Sequence, residues 1–200
     1  HCDSMKTPIN DMLNNPYYNW RNYLYSIDKR FISLYFDPQH DTGSVIIDNT
    51  DKRKTGKKVQ HLSWFYDHSD NSYFTGYQNI TAAWSNGRTT IPVDFEFKRG
   101  KKKTKHSTCS NYPKKSPAEQ RVRFAGEKKT DISIRMIKRA VQRAIPIKYI
   151  LWDSWFNCSS SLKYITELFE KKDIHLISML KRGNSKYKYQ GKYYDIKELS

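Results

Sequence analysis

Apolar positions along the chain change period several times, and each change marks an element. Between Pro16 and Phe36, Trp20, Tyr23, Leu24, Ile27, Phe31 and Leu34 recur three or four residues apart. That spacing predicts an amphipathic helix, started by Asn15-Pro16 and packed through this apolar stripe as an N-terminal support. From Ser44 the period becomes that of strands. Val45-Ile46-Ile47 is continuous enough for a buried central strand, and Asp48 closes it. A basic connection over residues 51–58 leads to a second run, Val59 to Tyr66. The turn formers Asp67-His68-Ser69-Asp70-Asn71-Ser72 precede a third run, Tyr73 to Trp84, and Asn86-Gly87 marks a hairpin into Thr89 to Phe97. Together these runs predict an antiparallel meander beside the first strand.

Residues 98–129 show no such period. They are polar and basic, densest at Lys98-Arg99-Gly100-Lys101-Lys102-Lys103, and are expected to be mobile or ordered by a partner. Ile132, Met136, Ile137, Ala140, Val141 and Ala144 then return to helical spacing, and Pro146 ends that helix. Tyr149-Ile150-Leu151-Trp152 is a second buried strand, closed by Asp153. Ser159 or Ser160 can cap a third helix containing Leu162, Ile165, Leu168 and Phe169, before a strand from Leu176 to Leu180. The tail, Lys186-Tyr187-Lys188-Tyr189 and Tyr193-Tyr194 about Gln190-Gly191, predicts a β-hairpin. This order is that of an α/β fold, in which ligand chemistry sits outside the carboxyl ends of the strands. Both aspartates are expected there.

Charge adds a class of partner. Lysine and arginine number 36 against 20 acidic residues, a formal charge of +16, so the long-range field attracts polyanions. No apolar run approaches the roughly 20 residues of a membrane span, so a soluble protein without a membrane partner is expected. Cys2, Cys109 and Cys158 match neither a disulfide framework nor a zinc knuckle, which favours a reducing, intracellular setting. The chain opens with His1-Cys2 and stops at Leu199-Ser200, soon after the tail begins, and is expected to be part of a longer protein.

Carboxylates on neighbouring strand ends can share Mg²⁺, a hard cation that also accepts phosphate oxygens. Two such ions about 3.5–4 Å apart suit in-line phosphodiester transfer, but need a further carboxylate. Asp67 and Asp70 fall in an expected turn, and Glu167 and Glu170 on a helix face; none is a convincing third ligand. Asn49 could lend an oxygen or a supporting hydrogen bond to such a site, with a turn role as its simpler reading. Trp152, Trp155 and Phe156 flank Asp153 as packing or as base-stacking surfaces. Lys52, Arg53, Lys54, Lys57 and Lys58 are expected to leave the same strand end as Asp48 and to contact phosphate, although a charge run is ordinarily solvated surface.

Asn15-Pro16-Tyr17-Tyr18-Asn19-Trp20-Arg21, Ile46-Ile47-Asp48-Asn49-Thr50, Lys57-Lys58-Val59, Tyr66-Asp67-His68, Gly76-Tyr77-Gln78, Trp84-Ser85-Asn86-Gly87 and Tyr149 to Phe156 resemble the DDE transposases of bacterial insertion sequences, in the branch with a β-rich insertion. The resemblance runs in order from about residue 15 to residue 200. It implies a ribonuclease-H-like mixed sheet with flanking helices: helical support over 1–40, an incomplete catalytic core over 41–182, and the start of the inserted β subdomain over 183–200. Asp48 and Asp153 would be the first two catalytic, metal-binding residues, with Mg²⁺ or Mn²⁺ as cofactor. The family's third residue, a glutamate on a helix after the insertion, has no counterpart here, so these 200 residues are expected to be inactive or nearly so. Members usually carry a second aspartate where this chain has Asn49. The implied partners are double-stranded DNA, as transposon ends and target, and a second copy in a synaptic complex, in the bacterial cytoplasm at the nucleoid. A nuclease of the same fold that cuts without joining, and a non-catalytic DNA-binding remnant, are the alternatives.

Overall fold

The computed structural model describes residues 3–56, 59–102, 104, 111–180, 186–195 and 198. Two helices open it, α1 (Asp3–Asn14) and α2 (Trp20–Tyr35). Asn15-Pro16 lies in the turn between them rather than at a helix start. The start is set by Asn19, whose side chain accepts the Asn22 N–H at 3.1 Å. The apolar stripe expected to pack is also not the one α2 buries. Asp28 and Ile32 are buried, while Tyr23, Ile27 and Leu34 are 63, 50 and 69 % exposed. The surface that α2 meets is a strand carrying two buried carboxylates, and Arg21 of α2 turns to them, which sets the face of the helix that packs.

A six-stranded mixed sheet follows, from β1 (Ser44–Arg53), β2 (Ser63–Asp67), β3 (Ser72–Ser85) and β4 (Thr90–Lys98), then β5 (Tyr149–Trp152) and β6 (His175–Ser178). β3 lies antiparallel to β1 along ten rungs, from Ser44 with Ser85 to Arg53 with Gly76. On the far edge of β3, β2 pairs with residues 72–76 and β4 with residues 78–85. β5 and β6 run parallel to β1 on its other side. This is a mixed α/β architecture compatible with a ribonuclease-H-like DDE domain. The Asp67–Ser72 turn and the Asn86-Gly87 hairpin fall where the turn residues placed them. β1 differs from expectation. Asp48 does not end it, because β3 continues to pair with β1 through Arg53 and makes residues 51–53 strand instead of connection.

The interval 98–129 is more ordered than its composition suggests. Helix α3 (Pro117–Phe124) lies inside it, with the Ser116 hydroxyl accepting the Glu119 N–H at 3.2 Å and Pro117 in the first turn. The Trp64 N–H donates to Lys102 O at 2.9 Å and the Thr104 N–H to Leu62 O at 3.1 Å, so the basic run is held against β2. Residues 103 and 105–110 lie outside the described residues.

Helices α4 (Lys129–Gln142) and α5 (Ser159–Lys172) pack on one sheet face. Ile132, Met136, Ile137 and Ala140 of α4, with Ile165 and Leu168 of α5, bury Val45, Ile47, Ile80, Ala82, Trp84, Ile150 and Trp152. Burial of this one face is the main driving force for the fold. Cys158, not a serine, takes the cap position of α5, and its N–H donates to Ser161 Oγ at 3.0 Å. At the sheet's edge the driving force is electrostatic. Asp94 and Glu96 of β4 are buried. Arg21 Nε of α2 and Arg139 Nε of α4 hold the two Asp94 oxygens at 2.7 and 2.6 Å. Arg139 and Arg135 hold Glu96 at 2.8 and 2.9 Å. This network fixes both helices to β4. The tail forms the expected hairpin, β7 (Tyr187–Tyr189) with β8 (Lys192–Tyr194), about Gln190-Gly191.

Candidate active site

The geometry of the site begins with register. The last rung between β1 and β5 pairs Ile47 with Trp152, and on each strand the following residue is an aspartate. Strand alternation turns Asp48 and Asp153 to the face of Ile46 and Leu151, opposite α4 and α5. Adjacent strands lie about 4.8 Å apart, so the two carboxylates stand side by side, within reach of a shared cation. Asp48 Oδ1 accepts the Asn49 N–H at 2.7 Å. Asp153 accepts the Ser154 N–H and caps the single 3₁₀ turn Ser154–Phe156. Each carboxylate is thus oriented by backbone, and the second oxygen of each has no hydrogen-bond partner among the described residues.

The donor set fits a divalent metal in its chemistry: two hard carboxylate oxygens, exposed at Asp48 and half-buried at Asp153. Among the described residues no group of three His, Cys, Asp or Glu could hold a metal ion. Asp67 and Asp70 are taken by Arg53, at 2.7 and 2.6 Å. Asn49 is a strand residue facing the side opposite Asp48, so it has no turn role.

Periodicity did not single out Lys129. It opens α4, and packing of that helix brings its ammonium near the carboxylates. Burial lowers its pKa, while Asp51, Asp153 and Asp48 act to raise it, in that order. Asp51 lies on the α4 side of β1, and one of its oxygens is buried without a hydrogen-bond partner. No sequence signal marks Lys129, because it precedes the apolar stripe of its helix and lies far along the chain from Asp48.

The basic residues divide by strand alternation. Lys52 shares the face of Asp48 and pairs across with Tyr77. Arg53 points the other way, over the Phe74 ring at 5.1 Å and into its two aspartates, which neutralise much of its charge. Lys54 is exposed beyond the strand end; Lys57 and Lys58 lie outside the described residues. Of the aromatics near Asp153, Trp152 and Phe156 are core, whereas Trp155 is 54 % exposed and stacks on His68 with ring centroids 5.7 Å apart.

No helix among the described residues is long and apolar enough to cross a membrane. Comparison with curated proteins gives no match, and neither does comparison with solved structures. A family profile described as DDE superfamily endonuclease matches residues 28–190.

Proposed function

Because the chain belongs to the DDE superfamily endonucleases, we propose that it acts on double-stranded DNA as the catalytic part of an insertion-sequence transposase, cutting element ends and joining them to a target. The observation that carries this reading is the placement of Asp48 and Asp153 one residue beyond the same rung, on the same face. Their carboxylates would hold Mg²⁺ or Mn²⁺. When bound, such a metal supplies Lewis-acid activation of a water or 3′ hydroxyl and charge stabilisation at the leaving oxygen. The protein's own contribution is to fix the carboxylates through backbone hydrogen bonds and to draw the phosphate backbone in with its excess of cations. Lys52, on the face of Asp48, positions that backbone; Lys54 extends the basic surface and Arg53 contributes less, while Lys57 and Lys58 are candidates for phosphate contact on their sequence alone. The β7–β8 hairpin begins the inserted subdomain, and the working form is a dimer on paired DNA ends in the bacterial cytoplasm.

Two tests separate metal binding from chemistry. Titration of the chain with Mn²⁺, followed by electron paramagnetic resonance, is expected to show binding lost in both Asp48→Ala and Asp153→Ala; undiminished binding in both would sink the assignment. With two of three carboxylates present, the 200 residues are expected to bind labelled element-end DNA with little or no cutting. Efficient Mg²⁺-dependent strand transfer by them would overturn the need for a third.

A further inference from the structure

A cavity of about 530 Å³ is lined by residues of β1, β3, β4 and α3. Its lining includes four cations, Lys52, Lys54, Arg99 and Arg121, and three aromatic rings, Tyr77, Phe95 and Phe97. None of the four cations forms an ion pair among the described residues. The one carboxylate on the wall, Glu96, is already held by Arg135 and Arg139 at 2.9 and 2.8 Å. The cavity therefore keeps its positive charge and has no internal anion to satisfy it. Burial lowers the pKa of Arg121, with the neighbouring Arg21 adding to the effect.

The rings form a ledge. Tyr77 and Phe97 meet edge to face with centroids 5.8 Å apart, Phe95 and Phe97 at 6.4 Å, and Phe97 remains 47 % exposed. Register places this ledge on the face of the aspartates. Thr50 pairs with Asn79 and Lys52 with Tyr77, so Asp48, Thr50 and Lys52 line one side of β1. Four residue steps along β1 take Asp48 to Lys52, about 13 Å at strand rise. Aromatic faces beside unpaired cations match one chemical class, a planar base joined to phosphate.

We propose that this cavity holds one unpaired nucleotide of the DNA strand, its base on the Phe97 and Tyr77 ledge and its phosphates on Lys52 and Arg121. This rests on the reading that the chain acts on DNA. A paired base is enclosed in its stack and cannot reach the ledge, so the cavity selects for a nucleotide already out of the duplex.

The chain is titrated, with EDTA present, with a duplex carrying one unpaired nucleotide and with its fully paired counterpart. Expected is about a ten-fold preference for the unpaired site, lost in Phe97→Ala and kept in Phe97→Tyr. Lys52→Ala is expected to weaken binding to both DNAs. Equal affinity of the unaltered chain for the two duplexes, or a preference that survives Phe97→Ala, overturns the proposal. So does free deoxyadenosine monophosphate binding as tightly as the unpaired duplex, which would make this a site for free nucleotides. Retention by Phe97→Tyr separates loss of the ledge from loss of folding. With divalent metal absent and both aspartates intact, the outcome is independent of whether Asp48 and Asp153 hold metal.

Discussion

Asp28 shows how far a single residue can depart from the rule its sequence context suggests. It sits on the polar side of an apparent amphipathic helix, yet it is buried, and one of its oxygens has no hydrogen-bond partner. Burial raises its pKa from 3.8 to about 6, Arg143 opposes the shift and Asp94 adds to it. A carboxyl whose folded pKa is raised binds its proton more tightly when folded, so stability falls as pH rises from about 3.8 to about 6 and stays low above. Asp28→Asn is therefore expected to stabilise the protein by roughly 2 kcal/mol at pH 7.5 and much less at pH 4.5, read from denaturant midpoints. Lys129 departs in the other direction, as a solvated-looking lysine that shares the field of three aspartates. Lys129→Met removes a cation that competes for those carboxylates, and tighter Mn²⁺ binding is expected. Weaker binding would mean that the ammonium orients the pair.

Elements depended on local signals of unequal strength. β5 and the Asn86-Gly87 hairpin were legible because a short apolar run and a turn dipeptide each have one good structural solution. Helix α3 was equally specified, by Ser116, Pro117 and Glu119, but its capping signal lay within a basic stretch whose composition suggested disorder. Ser116→Ala is expected to cost about 1 kcal/mol, measured by equilibrium unfolding. The end of β1 could not be read locally, because Asp51-Lys52-Arg53 has no strand propensity and is held extended by β3. Gly43, just before β1, has a comparable tertiary reason. A Cβ there would lie 2.0 Å from Pro146 O, whose oxygen accepts the Trp84 indole N–H at 2.8 Å. Gly43→Ala is expected to destabilise by at least 1–3 kcal/mol, the usual range for overpacking, seen as a lowered melting temperature.

At the scale of the molecule, one apolar face and one buried ionic network divide the work of assembly. The face holds α4 and α5; the network ties α2 and α4 to β4. Removing Asp94 leaves Arg21 and Arg139 with Glu96 as their shared carboxylate and strips both of their Nε partner, so Asp94→Ala is expected to cost about 3 kcal/mol in denaturant unfolding. The overall charge of +16 predicts steeply salt-dependent DNA affinity. Lys52→Ala is expected to reduce the slope of log affinity against log salt by about 1, as the loss of one phosphate contact requires.

That Asp48 and Asp153 are candidates was legible without coordinates because each follows an apolar run that pairs in the sheet, and such a run constrains where the next polar residue emerges. Strand alternation and turn chemistry, which act over neighbouring residues, likewise made the meander and the parallel strands readable. The face that α2 buries, the length of β1, and the meeting of Lys129 with the aspartates were not readable in this way. Each depends on a partner distant in the chain: Asp94 and Glu96 for α2, β3 for β1, and the docking of α4 for Lys129. A sequence states the chemistry of a surface, but the energy of that surface depends on what folding sets against it.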